Sequence, residues 1–83
     1  MTGDELRDAR GILGQLWCLG RPLAMSEMGR ALRLKGRDPG ESIRNWERGD
    51  GPTGPAAVAV EMMMAGAPPP DPLDEILSPK ILT

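Results

Sequence analysis

Apolar residues near the start of the chain recur at the spacing of one face of an α-helix. The members of this face are Leu6, Ala9, Leu13, Leu16 and Trp17. Thr2 stands before the pattern with Glu5 three residues later, which is the arrangement of a capping box. A Gly-Arg-Pro turn follows Leu19, so the first element is predicted to be an amphipathic helix that ends near Leu19.

A second, shorter apolar pattern begins after residue 24 and predicts another helix. Ser26 is expected to cap it, and Met28, Ala31 and Leu32 form the side predicted to be buried. The segment Lys35-Gly36-Arg37 is then a turn that leads into the next element.

The stretch from Asp38 to Gly49 predicts a third helix with a narrow apolar face. Asp38 can cap this helix, Pro39 suits its first position, and Gly49 suits its end. Ile43 and Trp46 lie three residues apart, so both side chains fall on one face and can anchor the helix to a core. The remaining positions therefore point outward.

A strongly apolar run at residues 55–65 follows a loop rich in Gly and Pro and predicts a fourth helix. Its apolar residues surround the helix almost completely, and so small a domain cannot cover every side. We expect part of this helix to face a second subunit; the alternative is that the C-terminal tail folds back over it. The candidate dimer-interface residues are Val58, Val60, Met62, Met63 and Met64.

The final segment, residues 67–83, is a Pro-rich linker followed by a short tail of apolar and acidic residues. Asp71 can cap a short helix in which Leu73, Ile76 and Leu77 share one side. Two interpretations stay open: the tail clasps the domain or dimer, or it is a short motif for another protein. We favour the clasp because buried apolar area is scarce. The predicted organisation is a helix-turn-helix domain at residues 1–66 and a tail at residues 67–83.

The composition narrows the class of protein. A chain of 83 residues makes one small domain, and the patterns above predict an all-α fold of four to five short helices. Histidine is absent and Cys18 is the single cysteine, which excludes an intrachain disulfide and argues against His-based catalysis or a Cys/His metal site. Cys18 is expected to be buried filler. We therefore predict that the protein is not an enzyme and has neither a cofactor nor a metal ion.

Location follows from what the sequence lacks. No stretch approaches the ~18 consecutive apolar residues of a membrane span, and the acidic start has no basic region typical of a signal peptide. With a single cysteine, these features predict a cytoplasmic protein without a membrane partner.

Charge is distributed unevenly along the chain. The net charge is −2, but residues 1–50 hold nine Lys/Arg against eight Asp/Glu, whereas residues 51–83 hold one Lys against four Asp/Glu. Residues 30–48 hold six Lys/Arg against three Asp/Glu, a local charge of +3. The positive charge therefore lies around the third predicted helix, although a solvated basic turn would look the same.

The outward positions of the third helix carry side chains suited to DNA. Arg44 can bond guanine, Asn45 can bond adenine, and Glu41 can accept from cytosine or serve only as the capping partner of Asp38. Glu47 is expected to be a structural partner of an arginine or of a backbone N–H. The candidate phosphate contacts are Arg33, Lys35, Arg37, Ser42 and Arg48.

The end of this helix resembles a known family. Residues 43–49, Ile-Arg-Asn-Trp-Glu-Arg-Gly, are similar to the end of the recognition helix in the lambda-repressor/Cro-like (XRE-type) helix-turn-helix family of bacterial and phage regulators. The resemblance covers residues 2–66, including the Ala-rich fourth helix. It implies a recognition helix that enters the major groove, with Gly40, Glu41, Arg44 and Asn45 at the base-reading positions.

The chain departs from this family in several places. The segment from Trp17 to Pro22 is extra, and the turn from Arg33 to Asp38 is longer than the usual tight turn. Ser26-Glu27 replaces the Gln or Thr that commonly opens the second helix, so the role of that residue is not transferred. Gly40 has no side chain, so one usual base contact is missing.

The leading hypothesis is a sequence-specific regulator of transcription that binds double-stranded DNA as a homodimer and associates with the nucleoid, in a phage, a mobile element or a host chromosome. The two recognition helices of the dimer, one in each subunit, would together bury enough surface for specific binding. The alternative is a helical protein–protein adaptor that uses the Met-rich helix 55–65 and the acidic tail. Salt dependence separates the two, because DNA binding releases counterions.

Overall fold

A computed structural model describes residues 1–34 and 36–77. Within them the chain forms five α-helices and no β-strand, which confirms the predicted all-α class. The helices are α1 (Gly3–Leu16), α2 (Met25–Ala31), α3 (Gly40–Arg48), α4 (Gly54–Met64) and α5 (Leu73–Leu77). The predictions that concern Lys35 and residues 78–83 lie outside the described residues.

The predicted cap of α1 is confirmed, but the helix ends earlier than expected. The Glu5 N–H donates to the Thr2 hydroxyl at 3.1 Å, and the Thr2 N–H donates to the Glu5 carboxylate at 2.8 Å. α1 ends at Leu16, and Cys18 follows with a φ of 60°, in the left-handed region that turns the chain away from the helix. Cys18 is exposed, so the prediction that it is buried filler is wrong.

The core takes side chains from all five helices and from the loop after α1. Its buried members are Leu6, Ala9, Leu13, Leu23, Met28, Ala31, Ile43, Val60, Met63 and Ile76. Leu23 closes the core from the loop, where its N–H donates to the Arg10 carbonyl at 3.0 Å. Leu16 is 50% exposed. Leu13 is therefore the last aliphatic residue of the predicted apolar face that is buried in the core.

A carboxylate two residues into α2 caps this helix in place of the expected serine. Ala24 is the N-cap and Ser26 lies inside the first turn, so the predicted Ser26 cap is wrong. The Glu27 carboxylate accepts from the Ala24 N–H at 2.7 Å and from two N–H groups of Arg21, each at 2.8 Å. The Arg21 bonds hold the pKa of Glu27 below its usual value. Glu27 therefore ties the loop before α2 to the helix.

Two glycines allow α2 and α3 to approach each other closely. A Cβ atom at Gly29 of α2 would lie 2.0 Å from the Pro39 carbonyl oxygen. A Cβ atom at Gly40 of α3 would lie 2.9 Å from the Ser26 nitrogen. No side chain fits at either contact without moving backbone, so these glycines set the separation of the two helices.

The C-terminal arm, residues 67–77, folds back onto the rest of the chain. Ile76 of α5 is fully buried in the core, and its carbonyl accepts from the Arg30 Nε of α2 at 2.6 Å. The predicted clasp is confirmed for these residues. Ile76 therefore belongs to the same core as the buried residues of 1–66.

α4 turns two of the candidate dimer-interface residues into the core. Val60 is fully buried and Met63 is 4% exposed, so the prediction that they face a second subunit is wrong. Because α4 is apolar on nearly all sides, its rotation is set by packing against α1, which periodicity does not reveal. Val58 and Met62 remain on the surface at 54% and 56% exposed, and Met64 is half-buried.

Gly29→Ala should lower the free energy of unfolding by ~1–3 kcal/mol, because the added methyl group forces the Pro39 backbone away from α2. Chemical denaturation followed by circular dichroism measures the change. Gly11→Ala is the matched control, since a Cβ atom at Gly11 in α1 meets nothing within 4 Å. That control should gain up to ~1 kcal/mol from helix propensity. Equal effects of the two substitutions would contradict the close approach at Gly29.

Candidate nucleic-acid interface

α3 is anchored to the core along one side. Ile43 is fully buried, and the half-buried Trp46 packs against the core, as the spacing of the two residues predicted. Gly40 and Glu47 are also buried on this side. These residues fix which face of the helix remains outside.

Glu47 holds α3 to α1 through a nearly buried ion pair. Its carboxylate accepts from the Arg10 Nε at 2.7 Å and from the Arg10 Nη2 at 2.9 Å. The Arg7 Nε lies 3.7 Å from the same carboxylate. Arg10 also donates to the Leu23 carbonyl at 3.0 Å, so its guanidinium is bonded on both edges. The prediction that Glu47 is a structural partner of an arginine is confirmed.

The Asp38 side chain bonds the start of α3 from one residue before the N-cap. The Gly40 N–H donates to the Asp38 Oδ1 at 3.0 Å, although α3 begins at Gly40, one residue later than predicted. The other oxygen, Asp38 Oδ2, lies 3.5 Å from the Arg44 Nη2. Asp38 therefore bonds the first backbone N–H of α3 and also faces one of the candidate base-reading side chains. The N-cap itself is Pro39, one residue after the predicted cap, and it makes no side-chain capping bond.

The predicted base-contacting residues share the outer face of α3. Glu41, Arg44, Asn45 and Arg48 follow one another at intervals of three, one and three residues, which places them in one stripe. Glu41, Asn45 and Arg48 are exposed, and the Arg44 side chain is 41% exposed. Ser42 is half-buried at the edge of this stripe. The structure therefore brings together the side chains of α3 that the sequence analysis proposed as DNA contacts.

The other candidate phosphate contacts have different surroundings. Arg37 is exposed in the segment before α3. Arg33 is exposed too, but its guanidinium is bonded by Asp71 of the C-terminal arm at 2.8 and 3.1 Å. This pairing raises the pKa of Arg33 and lowers that of Asp71, since each charge stabilises the other. Lys35 lies outside the described residues.

Sequence reasoning identified Glu47 as structural but did not identify its partner. Arg10 lies 37 residues away on another helix, and its position in the sequence does not distinguish it from Arg7. One available signal was the spacing of Glu47 from Ile43. An acidic residue four positions after a buried anchor falls on the buried face, where it needs a cation.

The surface contains no arrangement typical of a metal site within the described residues. No three Cys, Asp or Glu side chains come together there in a way that would hold an ion. No helix in residues 1–34 and 36–77 has the length and apolar character needed to cross a membrane.

Comparisons with protein-family models, with curated proteins and with solved structures found no match. The function of the chain therefore has to be inferred from its own surface.

Glu47→Gln should lower the free energy of unfolding by about 3 kcal/mol, because Arg10 would keep a largely buried charge without its counterion. Chemical denaturation of purified protein gives this value. Glu41→Gln makes the same change at an exposed position of α3 and should alter stability by less than ~0.5 kcal/mol. A loss no larger than that of the control would show that the ion pair does not hold α3 in place.

Proposed function

We propose that the chain is a sequence-specific, double-stranded DNA-binding regulator of transcription that acts as a homodimer, with α3 in the major groove. The observation that carries the proposal is the outer stripe of α3. It presents two arginines and an asparagine on a helix whose opposite side is pinned by Ile43 and Glu47. A major groove accommodates one α-helix and displays the hydrogen-bonding groups these side chains bind.

Each side chain of the stripe has a role suited to its chemistry. Arg44 donates two hydrogen bonds to the edge of a guanine, and Asn45 bonds an adenine in the same way. Glu41 accepts from the amino group of a cytosine. These contacts supply sequence preference, because the major-groove edges of the four base pairs differ.

Phosphate contacts set the position of the helix on the duplex. Arg37 is exposed in the segment before α3, Arg48 is exposed at the end of the helix, and Ser42 lies at the edge of the stripe. Contacts of this kind fix the orientation of a protein on DNA without reading sequence. Neutralisation of phosphates also releases counterions, so the affinity should fall steeply as salt is added.

The homodimer in this proposal uses what remains exposed on α4. Val58 and Met62 lie four residues apart on one side of the helix, and each has more than half of its surface exposed. A second copy that covers these side chains would place two α3 helices on one duplex. Such a protein would act in the cytoplasm at the nucleoid.

The adaptor hypothesis keeps less support. It relied on the acidic tail as a recruited motif, but the arm is engaged by the chain itself through Ile76, Arg30 and Arg33. Val58 and Met62 would still offer an apolar contact. Binding that is insensitive to salt and to changes in α3 would favour the adaptor.

Arg44→Ala should weaken binding to the preferred duplex by ~1–3 kcal/mol and relax the preference at one base pair, because it removes a bidentate contact to guanine. Fluorescence anisotropy with the preferred duplex and its single-base variants measures both effects. Arg37→Ala is the matched control and should weaken binding to every duplex equally, with a salt slope smaller by about 1. Uniform weakening by Arg44→Ala would make Arg44 a phosphate contact. Unchanged binding would exclude α3 as the DNA-reading element.

A further inference from the structure

The C-terminal arm lies against the helix that precedes α3. α5 packs on α2, and the anchor is apolar: Ile76 is fully buried, and its carbonyl accepts from Arg30 of α2. The anchor carries an acidic segment, because Asp71 lies before α5 and Asp74 and Glu75 lie in its first turn. The arm therefore brings negative charge to the most basic part of the chain.

The arm bonds Arg33, which is one of the candidate phosphate contacts. The Arg33 Nε and Nη2 groups donate to the two oxygens of Asp71 at 3.1 and 2.8 Å. This forked geometry is the one in which a guanidinium binds two oxygens of a phosphate. The Asp71 carboxylate therefore stands where a phosphate of DNA would be bound by Arg33.

We propose that the C-terminal arm is an internal competitor of DNA, in which Asp71 occupies Arg33 and lowers the affinity of the domain for the duplex. This inference rests on the proposed function. It adds to that function a regulatory contact between residues 38 positions apart in the chain.

The surroundings of the pair suit a contact that opens and closes. The side chains of Arg33 and Asp71 are 62% and 31% exposed, so water and phosphate can reach both partners. Exposed ion pairs are weak and are screened by salt. Asp71 nevertheless stays close to Arg33, because Ile76 anchors the arm and makes the encounter intramolecular.

The test compares Asp71→Asn with Asp74→Asn in the full chain. Both substitutions remove one negative charge from the arm, but Asp71 bonds Arg33, whereas Asp74 lies exposed in α5. Asp71→Asn should bind the preferred duplex severalfold more tightly than the wild type. The slope of log affinity against log salt should also become steeper by about 0.9, the value for one additional phosphate contact. Asp74→Asn should leave the slope unchanged.

Arg33→Gln completes the cycle. In the Arg33→Gln background, Asp71→Asn should give no gain in affinity, because the competed group is absent. Thermal unfolding followed by circular dichroism checks that every variant is folded.

Several outcomes would overturn the inference. If the wild type binds DNA and Asp71→Asn equals Asp74→Asn, or if the gain persists without Arg33, the competition is wrong and the proposed function stands. If no folded variant binds any duplex with salt-dependent affinity, the proposed function fails and the inference fails with it.

Discussion

The ion pair between Glu47 and Arg10 is the interaction on which the orientation of α3 depends. A carboxylate that is 4% exposed has lost most of its hydration, so it must be matched by a cation and by hydrogen bonds. Arg10 provides both, and its bond to the Leu23 carbonyl fixes the guanidinium. Ile43 alone would permit some rotation of α3 about its axis, whereas two directed bonds from α1 do not. The outward direction of Arg44 and Asn45 follows from this constraint.

The other contacts of α3 fix its position in the fold but contribute no side chain to its outer face. Gly29 and Gly40 allow α2 to lie directly against the start of α3, where the Asp38 carboxylate accepts from the Gly40 N–H. The C-terminal arm packs on α2 and supplies Ile76 to a core that would otherwise be small. The arm thus combines two roles. It contributes apolar area to folding, and it holds Asp71 against Arg33, which would bind a phosphate of DNA in the proposed function.

Local signals predicted most of the elements, whereas long-range contacts account for several of the errors. The cap between Thr2 and Glu5 and the anchors Ile43 and Trp46 depend on residues a few positions apart, so the sequence displays them. The bond between the Asp38 carboxylate and the Gly40 N–H is equally local. Cys18 adopts a left-handed conformation that its residue type does not favour, and α1 therefore ends earlier than predicted.

Val60 and Met63 could not be separated from Val58 and Met62, because a helix that is apolar all round has no preferred side until its neighbours are known. The partners of Glu47 and Arg33 lie 37 and 38 residues away, and their choice among several arginines and carboxylates is a property of the tertiary structure.

The most direct test of the central claim, that the outer stripe of α3 reads base pairs, is to recover the duplexes that the wild-type protein binds from a library of random sequences. The account predicts enrichment of an inverted repeat whose half-sites are centred about 10–10.5 base pairs apart, or a multiple of that distance, because two α3 helices would enter successive major grooves on one side of the duplex. Recovery of duplexes without any shared sequence, at an affinity equal to that for unselected DNA, would contradict it.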